Sequence, residues 1–101
     1  MKRFSRMDTV CIVKFHRIPK KRIGMYHVDA GVIFNTMSFP SRTMYHVQYF
    51  NDKVKVKGRT WLNEKYVFNN FDDAQEYADK LNEKLKINRE ARERVKKLYE
   101  D

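Results

Sequence analysis

Apolar and polar residues follow two rhythms along this chain, a strand-like one up to Phe68 and a helical one after it. From Asp8 to Ile18 (DTVCIVKFHRI) β-branched and aromatic residues dominate, which predicts a strand. Alternation puts Thr9, Cys11, Val13 and Phe15 on its core face, while the other face passes from Val10 and Ile12 to Lys14 and His16 and becomes wet. Pro19 to Gly24 (PKKRIG) has the composition of a turn. Met25 to Phe34 is a second predicted strand, with Gly31 marking a bulge. Asn35 to Arg42 reads as a loop, because Pro40 opposes ladder pairing. Thr43 to Phe50 is a third strand, turned at Asn51-Asp52. The strict alternation of Lys53 to Lys57 (KVKVK) predicts a fourth strand that Gly58 breaks, with Thr60 to Phe68 as a fifth.

The helical rhythm is the clearer of the two. Ala74, Tyr77, Ala78, Leu81 and Leu85 form one stripe of a 3.6-residue period. Asn70 or Asp72 can cap its start, and Asp72 and Asp73 suit the positive end of the helix dipole. Glu76–Lys80, Glu90–Arg94 and Glu93–Lys97 are i,i+4 pairs in the favourable order. Asn88 and Arg92 then interrupt the stripe, so 71–87 is expected to dock on the sheet and 88–101 to project or dock elsewhere. These elements predict a single α+β domain: a four- or five-stranded, mostly antiparallel sheet with one long C-terminal helix packed on one face. Residues 1–7 form a basic tail, 8–68 the basic sheet region and 71–101 the helix.

Composition narrows the class. The chain is 101 residues long, 42% apolar and 14% aromatic, enough to build a core. A mean hydropathy of −0.81 and a longest early apolar run of only Val10 to Val13 argue against a signal peptide or a membrane-spanning segment. The single Cys11 excludes an intramolecular disulfide, which makes the cytoplasm the expected compartment.

Catalytic and metal chemistry find little support. His16, His27, His46, Cys11 and Asp29 have no zinc-type spacing, and a hairpin centred near Phe39 would set His46 near Gly31 and His27 near Phe50. Cys11 sits among apolar neighbours, where a thiol behaves as a small hydrophobe. Ser5, Ser38 and Ser41 lack a nucleophile elbow, and Gly24, Gly31 and Gly58 are too dispersed to cradle a phosphate. Of the acids outside the helix, Asp8, Asp29, Asp52 and Glu64, only Asp52 has an evident role, as a turn residue. The echo of Met25-Tyr26-His27-Val28 in Met44-Tyr45-His46-Val47 is too short to mark a duplication. A non-enzymatic protein without metal or cofactor is expected.

Charge supplies the positive signal. Residues 1–70 hold 14 Lys and Arg against 4 Asp and Glu, whereas 71–101 hold 8 against 9. A basic sheet joined to a charge-mixed helix is the footprint of a binder of polyanions or acidic surfaces, with the excess cations expected on the face opposite the helix. Lys53, Lys55 and Lys57 share one parity, and if it survives Gly58 then Arg59 and Trp61 extend the row. Such a row sets phosphate contacts beside a stacking platform, with Tyr45, Tyr49 and Tyr66 as further aromatic surface. Lys20, Lys21 and Arg22 form a second basic cluster.

Two partner classes fit: DNA or RNA bound through its backbone, or an acidic surface on a larger protein. Phe39, Met37 and Met44 would anchor the latter. Alternating Lys and Val also describe a plain amphipathic edge strand. Accessory proteins of phages and other mobile elements are of this small basic kind.

The region from Tyr45 to Leu85, with its helix entry Phe68-x-x-Phe71-x-x-Ala74-x-x-Tyr77-Ala78, resembles the arm-type DNA-binding domains of tyrosine integrases. That resemblance implies a three-stranded sheet that reads DNA. The element order is also similar to double-stranded-RNA-binding domains. The strands expected at 8–34 fit neither family, and the first helix of the RNA-binding domains is missing, so neither family is assigned.

Overall fold

The computed structural model describes residues 4–18, 23–53 and 55–99. The alternating segments pair with their sequence neighbours into β1 (Thr9–Ile18), β2 (Ile23–Phe39), β3 (Arg42–Asn51) and β4 (Val56–Asn63). A single 3₁₀ turn, Glu64–Tyr66, leads to β5 (Val67–Phe68), and α1 spans Phe71–Tyr99. The result is the expected α+β arrangement, with five strands in the order β4-β3-β2-β1-β5 and every pairing antiparallel.

That order forces the sheet to curl. β4 and β5 are its two edges, and a flat sheet at ~4.8 Å per strand would hold them ~19 Å apart. The chain from Asn63 to Val67 can span at most ~14 Å, and less where it winds into the 3₁₀ turn. The sheet therefore rolls around an inner face, on which Val10, Ile12, Ile33, Tyr45, Val47 and Val67 are buried with Phe4, Tyr49 and Leu62 packed against them. On the outer face Ala74 and Ala78 of α1 settle over Val13, flanked by Cys11, Tyr26, Val28, Tyr66, Phe68, Tyr77 and Leu81.

Curling corrects the expected facing of the first strand. Its even positions include buried residues as well, Ile12 at 0% and His16 at 8% exposed; of the expected core face Val13 is buried at 1%, while Thr9 and Phe15 are exposed. The alternation was right, but both faces are covered, one by the rolled sheet and one by the helix.

Three further boundaries differ from expectation. Asn35–Arg42 is not a loop: β2 continues to Phe39, a bulge between Ile33 and Asn35 resets its register, and the turn is Pro40-Ser41. A turn asks no ladder hydrogen bond of Pro40. The bulge is not at Gly31, which instead admits Val47; a Cβ there would lie 2.6 Å from Val47 Cγ1. Lys53 and Lys55 are turn, and only Val56 and Lys57 of the expected fourth strand are strand, with Lys55 left-handed at φ 57° and Asn51 Oδ1 accepting the Lys53 N–H at 3.0 Å. Gly58 and Thr60 both lie inside β4, which leaves only Val67–Phe68 for β5.

The expected tail is, from Phe4 on, a packed turn. Met7 N–H donates to Ile33 O at 2.7 Å, and Phe4 meets the Tyr45 ring edge-on at 5.6 Å.

Helix α1 starts where Asn70 accepts the Asp73 N–H at 2.8 Å, which makes Asn70 the cap, and Asp73 Oδ2 accepts in return from Asn70 Nδ2 at 3.0 Å. Glu76 and Lys80 pair at 3.3 Å on the solvated side. Beyond Leu85 every described side chain is exposed.

A polar device aligns the helix. β3 pairs with β2 only from Ala30 onward, so residues 24–28 of β2 have a free edge. Alternate residues direct their backbone groups to that edge. Asn82 closes it at Tyr26, accepting the N–H at 2.7 Å and donating to the C=O at 3.0 Å. Asn51 Nδ2 donates to Val28 O at 3.1 Å and Arg89 Nη2 to Gly24 O at 3.3 Å. Side chains thus stand in for a missing strand.

Candidate nucleic-acid interface

Cross-strand partners share a face of the sheet, so register places the basic row. His46 opposes Trp61, Gln48 opposes Arg59 and Phe50 opposes Lys57. Inner-face Tyr45, Val47 and Tyr49 alternate with this set, so it points outward. α1 packs on β1, β2 and β5, and the β3–β4 half of the outer face stays open beside it.

Lys57, Arg59 and Trp61 therefore do share a face, and their parity survives Gly58. The His46 ring stacks on Trp61 with centroids 4.9 Å apart and planes 13° apart. The Arg59 guanidinium lies 4.5 Å over the ring of Phe34, the residue at the β2 bulge. Trp61 remains 39% and Phe50 51% exposed. Basic side chains and partly supported aromatic rings thus alternate across a few residues, and the described outer-face positions of β3 and β4 include no acid. Such a surface can set guanidinium and ammonium groups against phosphates and offer an indole to a base.

Other expected members fall elsewhere. Lys53 and Lys55 belong to the β3–β4 turn and do not continue the row. Tyr45 is buried on the inner face, Tyr49 lies on that face too, and Tyr66 packs beside Tyr77 under α1. Lys20, Lys21 and Arg22 lie outside the described residues. The cations were expected opposite the helix, but Lys57 and Arg59 share its outer face, because the inner face is consumed by the core.

A buried polar network escaped the sequence reading. His16 Nε2 and Asp29 Oδ2 are 2.6 Å apart, and Asn51 Nδ2 donates to Asp29 Oδ1 at 2.7 Å. His16, expected on a wet face, is buried with Asp29 because the sheet rolls over both. Nearby, the His27 ring lies 5.8 Å from that of His16, and Lys14 Nζ lies 5.3 Å over Tyr49. His46 opposes Asn35 rather than standing near Gly31, so His27 and His46 occupy opposite faces. Among the described residues no three His, Cys, Asp or Glu side chains gather as metal ligands. The missed signal was the parity of Asp29 with Gly31 and Ile33 on an otherwise apolar strand.

Cys11 lies half-buried on the outer face near α1, and burial pushes its thiol above the ordinary range. A neutral thiol is a poor nucleophile, so modification of native protein by a thiol reagent at pH 7 should be much slower than of unfolded protein. Equal rates measured in native buffer and in denaturant would contradict that placement.

Comparison of the chain with models of protein families, with curated proteins and with solved structures finds no match. The resemblance of Tyr45–Leu85 to three-stranded DNA-binding modules does not extend to the architecture, since β1 and β2 are interior strands of the sheet. Among the described residues no helix is long and apolar enough to cross a membrane.

Proposed function

We propose that this is a non-enzymatic nucleic-acid-binding protein that uses the open half of its outer face on DNA or RNA. The observation that carries the reading is the row Lys57, Arg59, Trp61, with Arg59 over Phe34 and Trp61 stacked on His46. Lys57 and Arg59 contact phosphates, and the exposed part of Trp61 stacks on a base. The lone cysteine suits a reducing, cytoplasmic setting.

Substituting Lys57→Ala and Arg59→Ala together should weaken binding by similar factors for unrelated sequences. Each lost contact should lower the slope of log K against log salt by about 0.9 on duplex or about 0.7 on single strands. Trp61→Leu should weaken single-strand binding by about 1–3 kcal/mol and leave the slope nearly unchanged. Titrations at several salt concentrations read both effects. Absence of salt-sensitive binding to any nucleic acid at low ionic strength overturns the reading.

A second reading, docking on an acidic protein surface, draws on the tip of the β2–β3 hairpin. There Met37 is 47% and Phe39 42% exposed, with Arg42 5.4 Å over the Phe39 ring. Met44, half-buried opposite Met37, adds apolar surface to that arm. Exposed apolar groups beside a cation are the composition of a protein-docking anchor.

A further inference from the structure

Helix α1 is polarised in a way its near-neutral total conceals. Residues 71–83 hold five acids and one Lys, whereas 84–97 hold seven Lys and Arg against Glu90 and Glu93. The change coincides with the end of the sheet. Arg89 reaches Gly24 O at the end of the β1–β2 hairpin, where exposed Arg17 pairs with Gly24, and the helix runs on for ten further residues.

The sector that packs on the sheet keeps its direction past that point but not its chemistry. Ala74, Ala78, Leu81 and Leu85 are followed by Arg89, Arg92 and Lys96, all within about 80° of one another at 3.6 residues per turn. Positions that would carry the core stripe are cationic, and the side chains from Lys86 to Leu98 are exposed. The negative end of the helix dipole accounts for Lys96 and Lys97 in the last turn, but its effect does not reach Lys84, Lys86, Arg89 or Arg92. A partner protein that continued the apolar packing of this sector would have to bury unpaired guanidinium groups. A chain of phosphates would pair them.

We infer that the overhang of α1, residues 90–99, is a second backbone-contact element for nucleic acid, with Arg92 and Lys96 on its underside as phosphate ligands and Arg17 at the sheet end that Arg89 reaches. The inference rests on the nucleic-acid reading above and adds a separate element to it. The overhang is about 15 Å long, enough to follow about four steps of a strand at 3.4 Å each.

The test is Arg92→Gln with Lys96→Gln in the full chain, which leaves the Arg89–Gly24 bond and the packed half of the helix in place. Duplex binding is titrated over a range of salt for wild type, this pair, and the Lys57→Ala, Arg59→Ala pair. The overhang pair should lower the salt slope by about 1.8, and combining both pairs should lower it by about twice that. Circular dichroism should show the helix unchanged. If the sheet pair flattens the slope and the overhang pair leaves it at the wild-type value, the inference fails and the proposed function stands. That same result is expected if the overhang seats against another protein or a second copy. If wild type binds no nucleic acid, both fail together.

Discussion

Replacing Asp29 with Ala should lower the unfolding free energy by about 3–5 kcal/mol, among the largest losses available to a single substitution here. Both carboxylate oxygens are engaged in the interior, one with His16 Nε2 and the other with Asn51 Nδ2. Ala would leave buried His16 without its partner and one hydrogen of the half-buried Asn51 amide unpaired, and a buried donor without an acceptor costs about 1–3 kcal/mol. Asn51 also holds the Val28 carbonyl and the Lys53 N–H, so the loss would spread into the β3–β4 turn. Denaturant titration of both proteins gives the difference directly. A loss under about 1 kcal/mol would mean that the network is dispensable and its geometry incidental.

A comparable loss is expected from the rolled sheet itself. Ile12→Ala should cost about 2–5 kcal/mol, because Ile12 is wholly buried on the inner face and the surrounding strands cannot collapse onto the vacancy. Leu98→Ala, in the overhang and 79% exposed, should stay within about 0.5 kcal/mol. The pair is best read as a shift in denaturation midpoint at unchanged slope. Similar losses at both positions would mean that the end of α1 is covered by something in solution.

Residues under one dominant constraint were readable in advance. The Ala74–Leu85 stripe and its Asn70 cap gave the helix, because apolar period and cap chemistry agree there. The shared face of Lys57, Arg59 and Trp61 followed from parity alone, which any extended strand obeys. Curvature was harder. Cys11 and Val13 are apolar, and so are Val10 and Ile12, a two-sided pattern that a flat sheet with a single helix cannot bury. The choice between faces was the error, since the fold uses both.

Lys53 to Lys57 alternates as a strand would, yet Asn51 claims the Lys53 N–H and turns the chain first. Pro40 correctly marked a break, but two residues suffice for it and the strands run up to either side. The Asp29 network and the Asn82 bracket on Tyr26 depend on partners 13 and 56 residues away, which the parity of Asp29 alone does not name.

The bracketed edge of β2 has a consequence for failure as well as for folding. While α1 is seated, the Gly24 and Val28 carbonyls and both backbone groups of Tyr26 are occupied by Arg89, Asn51 and Asn82. Lifting the helix strips two of those three brackets and bares Val13 and Val28 at the same moment. The opened species would present an adhesive ribbon, ready to recruit the same segment of a neighbouring molecule. Helix seating thus acts as a latch against self-templating, and Asn82, which holds both backbone groups of one residue, is its bolt.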